Sequence, residues 1–152
     1  MSVERRVFLG IVRVAEVLTR RLGDELGSYR LTLSQYGVLE ALQAAGSDGM
    51  ACGEIAERMI TRDPDVTRLL DRLEERGLVS RTRGRPDRRV VRIQLTAEGN
   101  ALVQELDGRI HALQVAHLRG LDRRDLGALD ALLGSAEASV HATGAPHPAA
   151  HT

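Results

Sequence analysis

The sequence predicts a mainly α-helical protein with one small β-hairpin. Most segments repeat apolar residues at spacings of three and four, which is typical of helices with one buried face. The stretch Leu78–Leu95 instead resembles two short strands around a turn signal, Gly84–Asp87. A chain of 152 residues can bury one sizeable core, and the single cysteine, Cys52, excludes an internal disulfide framework.

The first two predicted helices are defined by an apolar stripe and by a cap. Residues 3–26 are expected to form a long helix that ends near Gly27. Its apolar stripe consists of Val7, Ile11, Val14, Leu18 and Leu22. Further along, Thr32 and Gln35 are three residues apart and form a capping box, so the second helix covers Leu33–Ala45.

Two shorter helices follow. The third is expected to end near Met59, and the fourth covers Pro64–Arg76, where Asp63 can cap the helix and Pro64 suits its first position. The buried stripe of the fourth helix is Val66, Leu69, Leu70 and Leu73. The same periodicity turns outward Asp65, Thr67, Arg68, Asp71 and Arg72.

The hairpin and two long helices complete the chain. The strands are predicted at Leu78–Arg83 and Val90–Leu95, the second with Val91, Ile93 and Leu95 alternating with polar residues. Thr96 and Asp122 can cap two further helices. Residues 143–152 are rich in Pro, Gly and Ala without an apolar period and are predicted to form a disordered tail.

The order of these elements predicts a winged helix-turn-helix domain over residues 31–96. Two helices joined by a short turn and followed by a two-stranded ribbon are typical of this fold, in which the second helix enters the major groove of DNA. The flanking helices, about residues 3–27 and 97–142, carry apolar stripes that one small domain cannot cover, which indicates a homodimer. We expect one domain over residues 1–142.

Positive charge is concentrated in the hairpin although the whole chain, with 21 basic and 21 acidic residues, has no net charge. Six arginines lie within twelve residues, beside one acid: Arg81, Arg83, Arg85, Arg88, Arg89 and Arg92. From Arg58 to Arg92 eleven arginines face six acids, a net charge of +5. An edge strand that charge keeps soluble needs only one or two charged residues. The high density of positive charge therefore favours contact with double-stranded DNA.

Individual roles follow from position. Asp87 and Arg89 are two residues apart on an extended segment, so the carboxylate can orient the guanidinium toward a minor groove. Four other arginines of the hairpin are expected to meet phosphates: Arg81, Arg83, Arg85 and Arg88. On the fourth helix Thr67, Arg68 and Arg72 are the predicted base-reading residues, and Arg68 suits a guanine.

At this point the sequence resembles the MarR family of bacterial transcription regulators. Val66–Gly99, "VTRLLDRLEERGLVSRTRGRPDRRVVRIQLTAEG", contains the family's D-x-R wing motif at Asp87–Arg89 and its L-T-x-x-G motif at Leu95–Gly99. "LTLSQYGVLEAL" and "GEIAERM" resemble the preceding helices, and the order of elements agrees over Val3–Val140. The chain departs from the family pattern at Asp63 and Asp65, where Ser or Thr is common.

The resemblance implies a homodimer that binds a pseudo-palindromic operator, usually as a repressor in the cytoplasm, associated with the nucleoid. It also implies release of DNA by a small aromatic or organic-acid effector. The effector would bind between the dimerisation helices and the winged domain, where Arg13, Tyr36 and His111 are candidate ligand-binding residues. Oxidation of Cys52 is a further signal to weigh, although a small core-filling thiol is favoured.

Other functions find less support. No catalytic triad, phosphate loop or carboxylate pair is recognisable, so we expect neither an enzyme nor a cofactor. His111 and His117 lack metal-ligand spacing, so no metal site is expected. No stretch reaches the roughly 20 apolar residues of a membrane span. Two alternatives remain: a ligand-independent, architectural DNA-binding protein, and a helical protein-interaction adaptor that binds no duplex.

Overall fold

The structure is a computed structural model and describes residues 1–59, 65–83 and 91–143. Within these residues the α-helices and the antiparallel strands follow the predicted order, so the expected fold class is confirmed. The bounds are α1 Val3–Gly27, α2 Leu33–Ala45, α3 Cys52–Arg58, α4 Val66–Glu75, β1 Val79–Arg83, β2 Val91–Leu95, α5 Ala97–Leu118 and α6 Arg123–Thr143, with a 3₁₀ turn at Gly46–Asp48.

Residues 1–113 form one compact unit whose core lies around α2. The predicted capping box is confirmed, because Gln35 N–H donates to Thr32 Oγ1 while Gln35 Oε1 accepts from Thr32 N–H. The fully buried side chains come from five helices and the hairpin: Leu26, Val38, Leu39, Leu42, Ile55, Leu70, Leu73, Ile93, Val103 and Leu106. Burial of this apolar set is the main stabilising contribution to the unit.

The fourth helix begins later than predicted. Its first residue is Val66, not Pro64, because Asp65 is the N-cap: its backbone is non-helical and its Oδ1 accepts from Arg68 N–H at 3.1 Å. Asp63 and Pro64 lie outside the described residues. The predicted buried stripe Val66, Leu69, Leu70 and Leu73 is confirmed.

The hairpin has a third partner that the sequence did not indicate. β1 and β2 pair from Val79↔Leu95 to Arg83↔Val91, and Met50 adds two hydrogen bonds to Ile93 at 2.8 and 2.9 Å. Gly49 precedes this bridge at φ +63°, where an added Cβ would lie 2.5 Å from Ile93 O. Only glycine, which has no Cβ, fits both the positive φ and the close approach to Ile93 O. The predicted strand starts, Leu78 and Val90, precede the observed ones by one residue.

The start of α5 is fixed against the hairpin. Gly99 N–H donates to Thr96 Oγ1 at 3.0 Å, so the predicted cap is confirmed. The Thr96 hydroxyl also donates to Gly77 O at 2.6 Å. At Gly99 a Cβ would lie 2.0 Å from Leu78 O, so this close approach of helix and backbone requires glycine.

A second compact unit begins at Gln114, and α6 is its main described element. Asp122 Oδ1 accepts from Asp125 N–H at 2.8 Å, which confirms Asp122 as the cap of α6. α6 exposes several large apolar side chains: Leu129, Leu132, Leu133 and Val140. Across the described residues, no helix combines the length and the apolar character that a membrane span requires.

Candidate nucleic-acid interface

One face of α4 is buried and the other is open to solvent. Val66, Leu70 and Leu73 pack into the core, which leaves the opposite side of the helix exposed. Thr67, Arg68 and Arg72, the predicted base-reading residues, all lie exposed there. Their side chains make no hydrogen bond or ion pair with another residue in the described ranges. Arg68 and Arg72 are one turn apart, so both guanidinium groups can reach the same ligand surface.

The C-terminal end of α4 is held by hydrogen bonds to two other elements. Arg76 donates through its two terminal nitrogens to Arg30 O at 2.7 Å and to Tyr29 O at 3.1 Å, in the loop after α1. Gly77 O accepts from the Thr96 hydroxyl at the start of α5. These bonds fix the helix end to the scaffold.

Arg81 joins β1 to α4. Its guanidinium lies 2.6 Å from Asp71 Oδ1 and 2.5 Å from Glu74 Oε2. The hydrogen bond to Asp71 is the main cause that raises the pKa of Arg81, while partial burial acts in the opposite direction. This arginine was predicted to meet phosphates, but in the structure its charge is paired with two carboxylates of the neighbouring helix.

Arg92 joins β2 to the segment before α3. One terminal nitrogen donates to Gly49 O at 3.1 Å and lies 3.6 Å from Glu54 Oε2. The same Glu54 oxygen accepts from Ala51 N–H at 2.7 Å at the start of α3. Arg92, which pairs with Thr82 near the outer end of the ribbon, therefore ties β2 to the start of α3.

The outer part of the wing falls beyond the described residues. Arg83 is the last residue of β1 and pairs with Val91 across the ribbon. Predictions for four further wing residues fall on positions 84–90, outside the described ranges: Arg85, Asp87, Arg88 and Arg89. The predicted orientation of Arg89 by Asp87 falls there too.

The three candidate ligand-binding residues differ in their surroundings. Arg13 on α1 and His111 on α5 are exposed, whereas Tyr36 on α2 is only 5% exposed. The Tyr36 hydroxyl donates to Glu40 Oε1 at 3.3 Å, and burial together with the nearby Glu40 and Asp107 raises the pKa of Tyr36. None of the hydrogen bonds or ion pairs within the described part of the chain joins two of the three candidates.

Two grooves lie beside the C-terminal end of α2, with volumes of about 500 and 350 Å³. Neither is lined by Arg13, Tyr36 or His111.

In the part of the chain that the structure describes, no group of three His, Cys, Asp or Glu residues is arranged to hold a metal ion. Cys52 is a free, half-buried thiol that packs against the core.

Sequence reasoning missed the residues that hold α4 in place. Arg76 next to Gly77 signals a helix end, where basic side chains often bind carbonyls. Its partners, however, lie 46 and 47 positions away in the chain. The acids Asp71 and Glu74 share one side of α4 by spacing, but nothing local indicates that they bind Arg81.

Comparison with known proteins identifies transcriptional regulators as relatives of this chain. Residues 24–106 match the family model described as "Transcriptional regulator SarA/Rot". The HTH-type transcriptional regulator PrsX of Escherichia coli is 35% identical over 95 residues, which are 62% of this chain and 57% of the relative. The chain thus spans less than two thirds of that protein. The HTH-type transcriptional regulator TtmR of Methylorubrum extorquens is 32% identical over 141 residues, 93% of this chain and 70% of the relative.

Solved structures share the fold at lower identity. AbsC, a MarR family transcriptional regulator from Streptomyces coelicolor, is 23% identical with a TM-score of 0.81, covering 94% of this chain and 97% of its own. MepR of S. aureus in complex with DNA is 22% identical with a TM-score of 0.78, covering 91% and 99%. RdhR-CbdbA1625, an organohalide-sensing regulator bound to 2,4-dichlorophenol, is 19% identical with a TM-score of 0.81, covering 97% and 86%.

Proposed function

Because this chain belongs to the SarA/Rot family of transcriptional regulators, and its MarR-like winged helix fold is confirmed, we propose that it represses transcription by binding an operator in duplex DNA. α4 is the recognition helix, which enters the major groove, and the β1–β2 ribbon is the wing, which lies alongside it. Its place of action is the nucleoid.

The exposed face of α4 carries this proposal. Thr67, Arg68 and Arg72 are presented by a helix whose other face is anchored in the core, so their backbone positions are fixed before DNA arrives. Arg68 and Arg72 have no charge partner within the described residues. Arginine can donate two hydrogen bonds to O6 and N7 of guanine. Thr67 can form a hydrogen bond with a base edge through its hydroxyl or pack its methyl group against that of thymine.

The wing adds contacts outside the major groove. Four of its residues are assigned to DNA by their charge and their place in the wing motif: Arg83, Arg85, Arg88 and Arg89. Asp87 orients Arg89 toward a narrow minor groove, where negative potential is highest. Arginines that neutralise phosphates make affinity fall steeply with salt.

A homodimer is the functional form. α1 exposes a row of large apolar side chains that water does not favour, including Val7 at 55%, Phe8 at 65% and Ile11 at 42%. α6, considered by itself, does the same with Leu132 at 69% and Val140 at 69%. We assign the dimer contacts to residues 3–27 and 97–142, which flank the winged helix-turn-helix at residues 31–96. Residues 1–142 make up one domain, and residues 143–152 are a tail.

The symmetry of the dimer predicts the symmetry and spacing of the operator. Two recognition helices related by a twofold axis reach successive major grooves about 34 Å apart, so the operator is a pseudo-palindrome. Phe8→Glu places a charge in the dimer contact and should raise the monomer fraction in sedimentation velocity, whereas Arg20→Glu, at another exposed position of α1, should not. A monomeric wild type at micromolar concentration would contradict the dimer.

A small aromatic acid or phenol is the proposed signal that releases DNA. RdhR-CbdbA1625 binds 2,4-dichlorophenol, which makes this chemical class the first to test. Arg13 and His111 would supply cationic groups and Tyr36 an aromatic ring. A panel of phenols and aromatic acids should lower the affinity for the operator in a fluorescence anisotropy titration. Unchanged affinity across the panel would favour a ligand-independent DNA-binding protein instead.

The function is tested by recovering the bound sequence from random duplex DNA. We expect a pseudo-palindromic site, and a log–log plot of affinity against salt with a slope near −0.9 for each phosphate neutralised. Arg89→Ala should weaken binding more than the control Arg20→Ala. No enrichment of any duplex at physiological salt would favour a protein-interaction adaptor and overturn the proposal.

A further inference from the structure

The contact between α4 and β1 contains an ion-pair cluster that the proposed base contacts do not use. Arg81 and the buried Val79 are two residues apart, so both lie on the face of β1 that packs against α4. The guanidinium of Arg81 bonds both Asp71 and Glu74, which are three residues apart on one side of α4.

These two carboxylates would otherwise disfavour DNA. Negative charges on a recognition helix repel phosphates, and the repulsion is strong at the short distances within a groove. Arg81 offsets one charge and occupies one oxygen of each acid. A planar guanidinium can bond two carboxylates at once, whereas a lysine ammonium is a single point charge and fixes the geometry less well.

We propose that Arg81 is a positioning residue, which holds the wing against α4 and so sets the spacing between their DNA contacts. This inference rests on the proposed function, because a fixed spacing matters only if both elements meet the same duplex. Arg81 itself contacts no phosphate. Its side chain is 31% exposed, and both terminal nitrogens already bond to carboxylates of α4.

The two possible roles of Arg81 predict opposite changes in DNA affinity for one double substitution. If Arg81 bound phosphate, Asp71→Asn with Glu74→Gln would remove repulsive charge, free the guanidinium and strengthen DNA binding. If Arg81 positions the wing, the same double substitution releases the wing and weakens binding by about tenfold, the size of coupling common within an ion-pair network. A purely structural role would change the thermal midpoint without this loss of affinity in folded protein.

Two further variants complete the design. Glu75→Gln is the matched control, since Glu75 is an exposed acid on the same helix with no ion pair to another described residue. It should leave affinity unchanged or raise it. Arg81→Lys keeps the charge but not the fork, and should weaken binding by about tenfold as well. Combining it with the double substitution should cost no more, because the same contact is already lost.

The experiment is a fluorescence anisotropy titration of the recovered operator with full-length protein, at a temperature where circular dichroism shows every variant folded. The positioning role is supported if the carboxamide pair and Arg81→Lys both weaken binding while Glu75→Gln does not. It is overturned if wild type binds but the carboxamide pair binds as tightly or tighter. If wild type binds no duplex, the proposed function fails, and the positioning role fails with it.

Discussion

The two ends of α4 are built for different purposes. At the N-terminal end, Thr67 and Arg68 are exposed, and Asp65 caps the helix by accepting from Arg68 N–H. Arg72, in the last turn, is exposed as well. At the C-terminal end, Arg76 bonds to the loop after α1, and Arg81 bonds back to the helix from β1. The N-terminal end is thus available to a ligand, whereas the C-terminal end is bonded to the scaffold and leaves Arg72 exposed.

This difference shows that arginines close in sequence do not share a role. Arg72 and Arg76 are one helical turn apart, yet the first is left to solvent and the second is used for structure. Charge alone cannot separate the two classes, because each guanidinium has the same charge and the same donors. The hydrogen-bond partners of a side chain decide its role, and those of Arg76 come from a distant part of the chain.

The largest effect is expected from the buried face of α4. Leu73 is fully buried, so Leu73→Ala should lower the free energy of unfolding by about 2–5 kcal/mol, through lost burial and the cavity that remains. Chemical denaturation measures this. The exposed control Arg72→Ala, on the same helix, should stay within about 0.5 kcal/mol of wild type. Equal costs for both would remove the distinction between the two faces.

The close approach at the start of α5 gives the next effect. Gly99→Ala places a Cβ 2.0 Å from Leu78 O, a contact that the backbone must relieve, and should cost about 1–3 kcal/mol of stability. Gly108 on the same helix has open space around it, so Gly108→Ala should be neutral or stabilising. Thermal unfolding of both variants checks the pair. A Gly99→Ala variant as stable as Gly108→Ala would contradict the packing.

A smaller effect is expected at the committed end of the helix. Arg76→Gln removes the hydrogen bonds to Tyr29 O and Arg30 O and should cost about 1 kcal/mol of stability. Arg72→Gln, one turn earlier, should cost nothing measurable in the same urea titration. A greater loss of stability for Arg72→Gln than for Arg76→Gln would contradict the structural role of Arg76.

Local features of the fold could be predicted from the sequence because their causes are local. The capping box of Thr32 with Gln35 and the cap at Thr96 each depend on residues three positions apart, and both are confirmed. The start of α4 was predicted two residues early because Asp63 and Asp65 are equally good caps by type. In the structure Asp65 is the cap, as its non-helical backbone and the bond from Arg68 N–H show.

The site was predictable in outline but not in its internal contacts. Periodicity alone turns Arg68 and Arg72 outward, as the structure confirms. The run of arginines gave no sign that Arg81 pairs with α4 or that Arg92 ties β2 to α3, since both contacts depend on how β1 and β2 pack against these helices. The bridge between Met50 and Ile93 was missed for the same reason.

The central claim is that the exposed end of α4 reads DNA, and Arg68 tests it most directly. Fluorescence anisotropy on the recovered operator, at one fixed salt concentration, should show Arg68→Ala binding about 5- to 150-fold more weakly than wild type, the usual range for a lost guanine contact. Arg20→Ala should bind as wild type does, and both variants should unfold at the wild-type temperature. Equal affinities for Arg68→Ala and Arg20→Ala would contradict the account.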